Sequence, residues 1–197
     1  MKDENRQNRD KPLRIILITL GMLALVGLGL FFGMAPLRSL LGESAFAFVS
    51  AIHGLLAGLL MVTVTVGVFQ AFRLYAGSSI TLQELEIGSI ANAVLAFLTI
   101  FYGNVIYIPY RASGGPRTYF LENMPEIHEI FFEFKEFMAL FTLPLAVSVV
   151  FMFFYYREEL FQRGDLKILV SICLLLVFFY FVVAFGLGAA ITKLRAV

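Results

Sequence analysis

The chain has 197 residues, 60% of them hydrophobic and 15% charged, with a formal net charge of +1. That composition leaves no room for a water-soluble domain beside an apolar body, and no surplus of cations to neutralise the phosphates of a nucleic acid. The single cysteine, Cys173, lies inside an apolar stretch, which excludes a disulfide framework and a thiolate metal cluster.

Five runs, residues 15–35, 45–72, 87–108, 137–156 and 168–191, are long and apolar with almost no ionisable group inside. A hydrocarbon core of about 30 Å takes about 20 residues of helix to cross, and each run reaches that length. The expected fold is therefore an all-α integral membrane protein. It has a basic tail over 1–14 and a single bundle of five transmembrane helices over 15–197.

The first run follows Lys2, Arg6, Arg9, Lys11 and Arg14. Its apolar part exceeds the h-region of a signal peptide, so it reads as a retained anchor ending at Ala35-Pro36. The second run carries His53 and the small-residue pair Gly54 and Gly58, a pattern that allows close helix packing. Thr81 and Glu84 then fit the capping box at the start of the third helix, which Pro109 closes. Within the second and third runs Thr63, Thr65, Gln70, Asn92 and Asn104 read as interhelical hydrogen-bond partners. Gly114-Gly115-Pro116 marks a turn before the fourth run.

Ahead of that run, residues 124–136 form an amphipathic helical extension with Pro125 at its first helical position. On a wheel of 100° per residue, His128 and Lys135 share one edge, and Glu126, Glu129, Glu133 and Glu136 gather beside them. Like charges at i,i+3 and i,i+4 repel, so this cluster is either solvated or compensated by a cation, a shared proton or a basic partner. Pro144 lies inside the fourth run, and Gly186, Gly188, Ala189 and Ala190 give the fifth a small face.

Lys and Arg near the helix ends divide nine against five. That bias places the N-terminus in the cytoplasm and the C-terminus outside, in the inner (plasma) membrane. Both histidines then fall in the outer leaflet. The sharpest functional expectation follows: His53 and His128 as the axial and metal ligands of one b-type haem, with Arg111 and Arg117 neutralising its propionates. The protein would be an electron-transfer subunit of a respiratory or redox complex linked to quinone, with other membrane or outer-face redox subunits as partners beside the lipid bilayer. It would be a carrier or accessory subunit, not a self-contained enzyme. The alternative is a cofactor-free membrane scaffold that docks a partner through its outer amphipathic helix. No Walker loop, Gly-x-Ser-x-Gly, His-Glu-x-x-His or Cys-x-x-Cys-His sequence is present, so common hydrolases and covalent c-type haem are not indicated.

Overall fold

The structure, a computed structural model, describes residues 45–157 and 159–194. The basic tail and the first apolar run lie outside the described residues. Those that are described belong to one compact unit, Leu41–Val197, and contain helix but no strand.

Four long helices carry the remaining runs: α1 (Ala45–Tyr75), α2 (Leu82–Arg111), α4 (Glu133–Tyr155) and α5 (Gly164–Leu194). A short helix, α3 (Pro116–Asn123), bridges α2 to a π-helical segment, Ile127–Phe132, that runs directly into α4. Among the described residues four helical spans are long and apolar enough to cross a membrane, and the third of them is Ile127–Tyr155, π segment included. The helices overrun the apolar runs because their polar ends extend past the hydrocarbon. Their outer surface exposes Leu55, Val62, Phe72, Phe101, Phe151 and Leu175, a cover suited to lipid and not to water.

Successive long helices are antiparallel and pack α1–α2–α4–α5 in a closed ring, since α5 returns to lie against α1. Leu60, Val64, Ala96, Ala146 and Val177 meet at the centre. One end is closed by Leu74, Leu85, Phe153 and Leu160, the other by Tyr110, Phe120, Phe132 and Ile191.

Helix α2 starts where the sequence indicates. The Thr81 hydroxyl accepts from the Glu84 amide at 3.2 Å, and the Glu84 carboxylate accepts from the Thr81 amide at 3.3 Å. Glu84 also pairs with Arg73 at 3.2 Å, Glu86 with Arg157 at 3.4 Å, and Arg163 with both Asp165 and Glu159. The ion pairs seen among the described residues all sit at this Arg163 end.

Close helix contact comes from glycines other than those the sequence pattern picks out. A Cβ on Gly54 or Gly58 would meet nothing within 4 Å, so that pair does not mediate helix approach. At Gly88 a Cβ would fall 2.5 Å from Gln70 Oε1, and at Gly67 it would fall 3.1 Å from Asn92 Nδ2. Each amide side chain thus sits in the notch left by a glycine of the facing helix. Gln70 uses the fit to donate to the Glu84 carbonyl at 2.8 Å. Gly88→Ala should push that amide out, and the lost bond should outweigh the better helix propensity, lowering stability by about 1 kcal/mol in detergent unfolding.

Of the polar residues expected to bridge helices, Gln70 does so. Thr63 and Thr65 instead donate to carbonyls of their own helix, at Leu60 and Met61. Asn92 is 2% exposed, and neither of its amide atoms has a partner among the described residues. An orphaned buried amide costs more than an apolar side chain of its shape. Asn92→Leu should therefore raise thermal stability, by about 1 kcal/mol; a lower unfolding temperature would show that the amide has a role of its own.

Candidate functional site

A cavity of about 460 Å³ opens toward the His128 end of the bundle, above the central apolar layer. Its size lies within the range of small-molecule sites. The walls are mainly apolar and small, with Gly54, Ala57, Gly103, Ala184 and Gly188 leaving the space. Polar groups that line it include His53 and Ser50 from α1, Thr99 and Asn104 from α2, Lys135 and Glu136 from α4, Thr192 from α5, and the phenols Tyr107 and Tyr110.

His53 is held by chemistry that fixes its tautomer. Its Nδ1 lies 2.9 Å from the Thr99 carbonyl oxygen, which can only accept, so Nδ1 carries the hydrogen. In the neutral ring Nε2 then keeps its lone pair. The ring fits because Gly103, one turn beyond Thr99, has no side chain; a Cβ there would stand 3.2 Å from His53 Cε1. A histidine set by a main-chain carbonyl and offering its other nitrogen is the arrangement that readies imidazole to bind a proton donor or a metal.

His128 is placed differently. It is 6% exposed and does not line the cavity. Arg117 Nε donates to its Nε2 at 3.2 Å, and its Nδ1 lies 3.0 Å from the Tyr110 hydroxyl. An arginine Nε–H only donates, so Nε2 is the acceptor, Nδ1 carries the hydrogen, and both ring nitrogens are engaged. The π segment sets this geometry: its i→i+5 turn alters the rotation of Ile127–Phe132 and buries His128 and Phe132 together. Phe132 stacks on Tyr110 with ring centroids 4.7 Å apart.

The structure thus gives the two histidines separate sets of partners. Arg111 lies 4.5 Å over the Tyr107 ring, and Arg117 is spent on His128; neither lines the cavity. No family model, curated protein or solved structure matches this chain.

The carboxylate cluster divides. Glu126, Glu129 and Glu133 are exposed, whereas Glu136 turns into the cavity beside Lys135, whose ammonium lies 4.7 Å over the Phe132 ring. Among the described residues no three His, Cys, Asp or Glu side chains come together to hold a metal ion. Sequence reasoning passed over Thr99, Gly103, Lys135, Glu136 and Tyr110 as site residues. Tyr102-Gly103-Asn104, polar groups around a glycine within an apolar run, was the signal that could have found part of this wall.

Proposed function

We propose that the protein is a membrane electron-transfer subunit that receives a quinone in the His53 cavity and works within a larger redox assembly. The observation that carries this is His53, its Nδ1–H tied to Thr99 and its Nε2 left to accept, in an apolar chamber that also holds Glu136, Lys135 and Asn104. A quinone's carbonyl oxygens can accept from the Lys135 ammonium and the Asn104 amide. A quinol's hydroxyl can donate to His53 Nε2 or to the Glu136 carboxylate. Oxidation of one quinol releases two electrons, taken one at a time by a redox centre of a partner subunit that is reoxidised between the two transfers, and two protons, for which His53 and Glu136 are bases in the cavity wall.

A b-type haem is the second reading, because the same nitrogen would serve as its protein ligand. Against it stands His128, which would have to leave both Tyr110 and Arg117 to complete an axial pair. Detergent-purified protein decides between them. Organic extraction yielding about one quinone per chain, with no Soret band, supports the first reading. A Soret band abolished by His53→Ala supports the second. Neither signal would leave the cofactor-free scaffold.

The apolar length of run 15–35 supports a fifth span, and the Lys and Arg bias supports a cytoplasmic N-terminus, an outside C-terminus and a cavity in the outer leaflet of the inner membrane. Terminal tags probed on intact cells test that orientation: an N-terminal tag accessible from outside overturns it.

A further inference from the structure

Helix α3 forms part of the cavity wall. Pro116 and Phe120 line the cavity, and Phe120, 3% exposed, packs against Tyr110, Phe132 and Ile191. A polar tie of α3 to the π segment is the bond from Arg117 Nε to His128 Nε2 at 3.2 Å, continued from His128 Nδ1 to the Tyr110 hydroxyl at 3.0 Å. Before α3 lies Gly114, whose φ of +71° is a conformation that glycine adopts freely, and after it comes Met124 outside the helix.

This tie depends on the protonation state of one ring. Guanidinium has donors and no acceptor, so the bond requires a lone pair on Nε2. An imidazolium carries hydrogen on both nitrogens. Proton uptake therefore removes the acceptor and leaves two cations face to face at the same contact. The charged and titratable groups around His128 are Tyr110 and Arg111 from α2, Arg117 from α3, and Glu129 and Glu133 on its own helix; α5 packs there through Ile191.

We infer that α3 is a proton-operated lid on the His53 cavity, latched by the Arg117–His128–Tyr110 chain while His128 is neutral and released when His128 takes up a proton. The lid rests on the cavity being a ligand site only for what passes beneath it; the latch itself needs no ligand. Neutral and mildly alkaline conditions hold the lid shut, and acidification that protonates the ring opens it.

Hydrogen exchange of the full chain in detergent micelles tests this without any cofactor, so its failure is separate from failure of the quinone reading. At about pH 8 the amides of α3 should be protected, and at about pH 5, after correction for intrinsic rates, protection should fall about tenfold. His128→Gln keeps an acceptor that cannot be protonated at these pH values, and its α3 protection should stay high at both. Arg117→Gln, at an exposed position, should leave α3 unprotected at both. Unchanged wild-type protection, or the same pH response in His128→Gln, overturns the latch. Should His128→Gln fail to fold, Arg117→Gln with wild-type protection at about pH 8 overturns it as well.

Discussion

His53→Ala is expected to weaken binding of decylubiquinone by the purified protein about 10- to 100-fold, while helix content and detergent stability stay close to wild type. The size follows from the ring's position. Removing it deletes the acceptor at Nε2 and leaves the Thr99 carbonyl without the donor it has at 2.9 Å. A hydrogen bond lost inside an apolar chamber costs about 1–3 kcal/mol, and each 1.4 kcal/mol is about a factor of ten in affinity. Stability should hold because His53 borders empty space and not packed core. A companion change separates the ring's orientation from its presence. Gly103→Ala places a Cβ 3.2 Å from His53 Cε1, so the imidazole must give by a few tenths of an ångström and its bond to Thr99 lengthens. Affinity should fall between wild type and His53→Ala. Isothermal titration of the three proteins checks the order, and a His53→Ala protein that binds as tightly as wild type would remove the cavity from consideration as a quinone site.

What the sequence made legible was governed by local rules. Apolar length alone located the four long helices, because lipid requires each backbone bond to be met within its own segment. The Thr81–Glu84 box was equally readable, since both of its bonds close within four residues. The partners of Asn92 and the identity of the packing glycines were not, because they depend on which faces of α1 and α2 meet. Gly54 and Gly58 match a packing pattern yet face open space, whereas Gly67, Gly88 and Gly103, which the sequence reading did not single out, receive Asn92, Gln70 and His53. The expectation for His128 rested on a wheel of 100° per residue. The π segment breaks that period between Ile127 and Phe132, and it buries a side chain that the wheel left on the same edge as Lys135. Glu136 shows the same effect. In sequence it is one of four clustered acids, and in the fold it is the member that reaches the cavity.

Gly115→Ala should dislodge α3, at a local cost of about 3 kcal/mol, and this effect separates space from backbone conformation. Gly115 has φ −70°, which any residue adopts, so its conformation does not demand glycine. Room does. A Cβ at this position would lie 2.7 Å from the Pro109 carbonyl oxygen, 2.7 Å from that of Tyr110 and 2.8 Å from that of Ala112. These are backbone atoms at the end of α2, where Ala112 N–H already donates to Pro109 and Gly115 N–H to Ala112, so no side-chain rotation relieves the clash. The chain must instead swing α3 away, drawing Phe120 out of its cluster and Arg117 off His128. Gly114 is the control. It has the positive φ, but a methyl added there would meet nothing within 4 Å, so Gly114→Ala should cost only the left-handed penalty, about 1 kcal/mol. Limited trypsin digestion reads the difference, since Arg117 lies on α3: Gly115→Ala should be cut there much faster than wild type, and Gly114→Ala only slightly faster. Equal cleavage of all three would mean that α3 is not seated by the crowding at Gly115, and would weaken the case for a lid whose position is set by that turn.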